Sequence, residues 1–96
     1  MLDKIDFAQY IPQMIEDIQG LVRIPSVRDD EAATTDAPYG PEVRKALDFM
    51  HDLAVRDDMK VGDVYPYTVH MESQNAGTNH RVDVASHIDV VPVGAL

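Results

Sequence analysis

Apolar residues recur at three- and four-residue steps early in the chain. Ile5, Ala8, Ile11, Ile15, Ile18 and Val22 fall on one helical face, and Phe7, Met14 and Leu21 widen it. The spacing predicts a helix over 6–23. Pro12 either kinks that helix or takes the first position of one that starts near Ile11. Gly20 weakens the last turns, and Pro25 ends the segment, because a residue before proline avoids the helical region. A cleaner stripe of Val43, Ala46, Leu47, Met50, Leu53 and Ala54 predicts a second helix, opening at Gly40-Pro41 and running to about 57. Pro41 suits its first position, and Glu42 suits the positive end of its dipole. Asp57-Asp58 lies at the wrong pole of that dipole and reads as a helix stop. His51 sits off the stripe and reads as an exposed surface histidine.

The period then shifts toward two. Tyr67, Thr68, Val69 and Met71 predict a strand over 67–72, residues 73–80 are turn chemistry, and 81–91 predicts a second strand, the pair forming a hairpin. In that second strand Val82, Val84, Ser86, Ile88 and Val90 share one side; Asp83, Ala85, His87, Asp89 and Val91 share the other. Between the helices, 26–39 is a polar connection whose run Asp29-Asp30-Glu31 could be a cation site but more often, as charge runs do, reads as solvated loop. A structureless loop of this length is uncommon and suggests one that shapes a site. The expected class is α/β, two helices followed by a β-hairpin. Two strands alone make a marginal sheet, and the closing Pro92-Val93-Gly94-Ala95-Leu96 is apolar. The expectation is therefore that 1–96 form the N-terminal part of a larger catalytic domain rather than a complete small one.

Charge narrows the partners. The 96 residues carry 17 acidic and 8 basic side chains, a net charge of −9. That balance argues against nucleic acid, which needs a basic footprint, and against an anionic membrane surface. The absence of cysteine excludes disulfides, thiolate zinc sites and a cysteine nucleophile. Any metal would have to be held by His, Asp or Glu. Met1-Leu2-Asp3-Lys4-Ile5-Asp6 has no basic-then-apolar signal pattern, and no apolar run approaches the ~20 residues of a membrane span. A cytoplasmic location is expected.

One pair of residues could carry chemistry. His87 and Asp89 share a strand face, with Cα atoms roughly 6.6 Å apart at ~3.3 Å per residue. A metal-bound histidine commonly gives its other ring N–H to a carboxylate, which fixes its tautomer. His87 is thus a candidate metal ligand and Asp89 its orienter. The same pair also suits a structural histidine bonded to a nearby acid. Its place at the end of a buried strand favours the first reading, since open α/β sheets bind their ligands there. His70 and His80 have no ligand-spaced partner, and Tyr39, Tyr65 and Tyr67 read as packing residues.

Four stretches carry a resemblance: Leu21-Val22-Arg23-Ile24-Pro25-Ser26-Val27, Glu31-Ala32-Ala33-Thr34-Thr35-Asp36-Ala37-Pro38-Tyr39-Gly40-Pro41, Arg44-Lys45-Ala46-Leu47-Asp48-Phe49-Met50, and Ser86-His87-Ile88-Asp89-Val90-Val91-Pro92-Val93-Gly94. In these the chain resembles the dinuclear-zinc aminoacylase and carboxypeptidase family of metallopeptidases (clan MH). It is most similar to the bacterial Xaa-His and β-Ala-Xaa, carnosinase-like dipeptidases. The resemblance implies a three-layer α-β-α catalytic domain that holds two Zn2+ ions and hydrolyses a dipeptide or small peptide with a metal-bridged water. It matches His87 to the first zinc-ligand histidine and Asp89 to the active-site acid that holds it. Ser86 stands where the family usually has glycine. The remaining ligands, a glutamate general base and a lid domain through which the family often forms homodimers would all lie downstream. One histidine cannot replace the three protein ligands of a catalytic zinc, so the 96 residues alone are expected to be inactive and to bind zinc weakly. Two other functions fit the same residues: a small acidic α/β interaction module without catalysis, and an N-acyl-amino-acid deacylase of the same family.

Overall fold

The computed structural model describes residues 6–62, 64–74, 82–92 and 94. Ile5, Arg81, His80 with the rest of the expected turn at 75–80, and the N-terminal pattern over 1–5 lie outside the described residues. The chain opens with a 3-10 turn, Phe7–Tyr10, whose Ala8 N–H donates to the Asp6 carboxylate at 3.1 Å. It continues as α1, Ile11–Val22, with Pro12 in the first helical turn. Of the two roles open to Pro12, the start of the helix is the one taken. The N–H that proline lacks is one the first turn leaves unbonded anyway.

α2, Pro41–Arg56, begins at the expected proline with Gly40 as its N-cap. Gly40 has φ 98° and ψ 165°, and a Cβ there would lie 2.9 Å from the Asp29 carbonyl oxygen. Only glycine takes that backbone conformation without strain. Asp29 is itself fixed. Its N–H donates to the Tyr39 carbonyl at 3.0 Å, and its carboxylate accepts from the Glu31 and Ala32 amides, each at 3.2 Å. Thr34 and Ala37 exchange backbone hydrogen bonds at 3.0 and 3.2 Å. The polar connection is therefore a chain of turns built by its own Asp and Thr side chains. At the far end of α2, Met59 N–H reaches the Ala54 carbonyl at 2.9 Å and Asp58 N–H reaches Val55 at 3.1 Å, with Asp58 at φ 55°. This is a Schellman ending, and Asp58 takes the left-handed position. The expected helix stop at Asp57-Asp58 is thus a defined cap.

Val43, Ala46, Leu47 and Ala54 form the buried core, all from the predicted α2 stripe. α1 is oriented differently from expectation. Ile11, Met14, Ile15, Ile18 and Val22 stay exposed, while Asp17, Gly20, Leu21 and Ile24 are the half-buried positions. α1 meets α2 with its small and polar side, because a Phe49 ring lies over Gly20, where any Cβ would sit 2.5 Å from Cζ. Among the described residues nothing covers the longer apolar stripe. The Cα radius of gyration, 15.8 Å, accordingly exceeds the ~12.5 Å typical of a compact domain of this length.

The expected hairpin needs correction. Two-residue strands β1, Lys60–Val61, and β2, Met71–Glu72, pair antiparallel, with Lys60 opposite Glu72 and Val61 opposite Met71. Among the described residues the 67–72 segment thus pairs, through 71–72, with 60–61 and not with 82–91. Residues 82–89 form no strand, and Val82 and Val84 are each 91% exposed. The apolar alternation there is real, but no described surface lies against it. Among the described residues the ladder contact of this region is a parallel bridge between Val27 and Val90. His51 also departs from expectation. It is half-buried, with its ring 5.0 Å from that of Tyr65, while the Arg44 guanidinium stacks 4.7 Å from the same ring. Arg44 and His51 lie seven residues apart on one α2 face, so Tyr65 packs across both. Among the described residues no helix is long and apolar enough to cross a membrane.

Candidate functional site

The site begins where α1 ends. After Arg23 the backbone makes two tight turns, Ser26 N–H to Ile24 O at 2.8 Å and Val27 N–H to Pro25 O at 2.7 Å. These turn Ser26 inward, where it is 3% exposed. Its hydroxyl donates to the Ile88 carbonyl at 2.6 Å, and its own carbonyl accepts from the Val90 N–H at 3.0 Å. The C-terminal segment is thereby docked beside the 26–27 turn.

Docking places the two expected site residues together. His87 Nδ1 lies 3.1 Å from Asp89 Oδ1 and 3.1 Å from the Asp89 backbone oxygen. Both partners are acceptors, so Nδ1 carries the proton and donates to them. A neutral ring in this tautomer presents Nε2 as a lone pair. The His87 side chain is 85% exposed, not housed at the end of a buried strand as expected, because residues 82–89 form no strand. Nε2 is therefore open to an electrophile from solution.

The pair sits on one wall of an open cleft of about 1110 Å³. Val43, Leu47 and Met50 of α2 form its apolar floor, and Arg28, Tyr39, Tyr67, His70 and Glu72 line its other sides. Arg28 bonds Asp30 at 2.7 Å and stacks 5.4 Å from the Tyr39 ring centre; Tyr39 in turn meets Tyr67 edge-on at 6.4 Å. The Asp30 carboxylate holds the Arg28 proton more firmly than usual, with smaller contributions from Tyr39 and Asp89. Tyr65 packs against Arg44 and His51, whereas Tyr39 and Tyr67, expected as packing residues, line the cleft, with Tyr67 57% exposed. His70, expected to have no ligand-spaced partner, lines the same cleft with Nε2 3.9 Å from Glu72 Oε2, two residues on like Asp89 from His87, which corrects that expectation.

A metal would find one ready ligand here. His87 has the protonated Nδ1, the carboxylate partner and the open Nε2 that suit a metal-binding imidazole. Among the described residues no three His, Cys, Asp or Glu side chains come close enough to hold an ion together. Ser26 was not singled out by sequence. The signal available was its place between proline and a β-branched residue in the Ile24-Pro25-Ser26-Val27 run, which marks a turn but not its partner 62 residues on.

No family model matches the chain. It is 46% identical over 87 residues to a Staphylococcus epidermidis protein named "Putative dipeptidase". Proteins of the same name stem from Staphylococcus aureus strains USA300 and N315 are 44% identical over 86 residues. Each match takes in 90% of this chain but 18% of the relative, so the chain spans less than a fifth of the length of these curated relatives.

Proposed function

We propose that residues 1–96 are the N-terminal part of the α-β-α catalytic domain of a zinc-dependent dipeptidase of the cytoplasm. In this reading His87 is one ligand of a two-zinc site and Asp89 the carboxylate that orients it. The similarity over nine-tenths of the chain to proteins named as dipeptidases carries the proposal. Two structural features support it: the His87–Asp89 contact with Nε2 left open, and the apolar faces of α1 and of Val82 and Val84, which await cover.

The roles of the chain's own residues follow from the geometry. His87 would hold zinc through Nε2, while Asp89 keeps the proton on Nδ1 and the ring in one orientation. Bound zinc would supply Lewis acidity, lowering the pKa of water and polarising a scissile carbonyl. The other ligands and the general base lie outside this set of residues. A dipeptide is the substrate in this reading, and dimerisation would involve other parts of the protein.

The test is dipeptide hydrolysis by the polypeptide that the cell makes from this reading frame. Xaa-His and β-Ala-Xaa substrates should be cleaved, chelator should stop the reaction, and zinc should restore it. His87→Ala should abolish that restoration. Cleavage of N-acyl amino acids in preference to dipeptides would overturn the dipeptidase assignment in favour of a deacylase.

A further inference from the structure

We infer that Ser26 is a positioning residue for the His87–Asp89 pair; its consequence for zinc rests on the function proposed above. Ser26 bonds the peptide groups on both sides of Asp89. The Ile88 carbonyl belongs to the peptide before Asp89 and accepts the Ser26 hydroxyl at 2.6 Å. The Val90 N–H belongs to the peptide after it and donates to the Ser26 carbonyl at 3.0 Å. Peptide groups are planar, so anchoring both planes fixes the two soft dihedrals of Asp89.

The second of these peptides reaches His87 directly. Its N–H is held by Ser26, and its oxygen, that of Asp89, lies 3.1 Å from His87 Nδ1. One amide plane thus joins the Ser26 carbonyl to the His87 ring. The Asp89 carboxylate supplies the second acceptor, also at 3.1 Å. The imidazole is exposed and has few neighbours of its own to hold it. Its orientation therefore depends on a backbone that Ser26 pins from a buried position. Burying a hydroxyl without a partner is costly, and here the partner is the peptide that needs fixing.

The experiment uses isotope-labelled full 96-residue chain, unsubstituted and as Ser26→Ala, with three-bond couplings reporting χ1 of His87 and Asp89. The unsubstituted chain should show one rotamer at each residue. Ser26→Ala should average both while the Val43 and Leu47 methyl signals of the core stay in place. Unchanged couplings in a folded Ser26→Ala chain overturn the inference. Zinc alone is the second probe: the midpoint of the His87 ring response should rise about tenfold in Ser26→Ala, the lower end of what outer partners of a ligand contribute. The His51 and His70 rings serve as references and should respond alike in both chains; a His87 midpoint that stays put counts against the inference. Should Ser26→Ala not fold, amide exchange in the unsubstituted chain decides. A Val90 N–H at least tenfold slower than that of Val91 upholds the clamp, and equal rates overturn it. If zinc leaves the unsubstituted His87 ring untouched, as a lone ligand can, the couplings decide the role of Ser26, and the dipeptidase reading is decided separately by the hydrolysis test above.

Discussion

The Arg56 guanidinium grips the Asp17 carboxylate end-on and so joins the two helices: Nη1 meets Oδ1 at 2.9 Å and Nη2 meets Oδ2 at 3.0 Å. The same guanidinium bonds Asp57 through Nε and Nη2, at 2.8 and 2.9 Å. One cation thus serves two carboxylates, on α1 and at the end of α2. Its bonds lower the pKa of both acids below the ordinary 3.8, and they hold its own proton more firmly, Asp57 contributing most and Asp17 next. Carboxylates with depressed folded pKa values stabilise the fold above their unfolded pKa, and lose that contribution as pH falls through the folded values. Thermal melts followed by circular dichroism should therefore show stability dropping below about pH 4. Arg56→Gln should lower the melting temperature at pH 7 and flatten the decline in acid. An unaltered acid limb in Arg56→Gln would show that other carboxylates govern it.

Gly20 and Phe49 make a prediction whose sign depends on background. Alanine in a helix interior is favoured over glycine by about 1 kcal/mol. At position 20, however, a Cβ would lie 2.5 Å from Phe49 Cζ and 2.7 Å from Cε2. The ring must move for alanine to fit. Gly20→Ala alone should therefore gain nothing or lose stability in urea denaturation. Made in a Phe49→Leu chain, the same change should recover close to the full helical gain of about 1 kcal/mol. Equal effects in the two backgrounds would mean that the ring shifts freely.

Gly40 offers no such escape, because its neighbour is backbone. The Asp29 oxygen, 2.9 Å from a built Cβ, is tied into the turn by the Asp29 N–H to Tyr39 bond. Strain at φ 98° adds to the overlap. Gly40→Ala should cost about 2–4 kcal/mol, measurable as a fall in the urea midpoint. A shift of the midpoint within error would show that the 29–40 turn relaxes instead.

How far sequence reached depends on the range of the interactions involved. Both helices, Pro12 and Pro41 in their first turns, and the stop at Asp58 rest on contacts within a few residues, and local pattern carries those. The inward side of α1 was not legible, because it is chosen by Phe49 seeking the space above Gly20, a contact between elements. The 67–72 segment was legible as β-type, but its partner was not, since period alone does not say which edge pairs. Its described pairing goes to Lys60–Val61, with Val61 opposite Met71, and not to the apolar alternation at 82–90. The approach of His87 to Asp89 followed from spacing two residues apart. Ser26 did not, because the partner of its hydroxyl, Ile88, lies across a gap of 62 residues.

The double anchoring of the His87 ring makes the two obvious Asp89 substitutions informative. Asp89→Asn keeps an amide oxygen able to accept from Nδ1–H, but removes the charge that favours a cation bound to the ring. Asp89→Ala removes that acceptor and leaves only the backbone oxygen, at 3.1 Å. Loss of an outer partner typically weakens metal binding by 10–100-fold. Because both acceptors survive in Asp89→Asn and the backbone oxygen alone survives in Asp89→Ala, the zinc midpoint read at the His87 ring should rise toward the low end, about tenfold, for Asp89→Asn, and further for Asp89→Ala. His87→Ala should remove the site's response altogether, with no change in the far-ultraviolet spectrum, since the ring is exposed and the core lies on α2. If Asp89→Ala binds zinc as well as the unsubstituted chain, the carboxylate does not orient the ligand, and the backbone oxygen alone holds the tautomer.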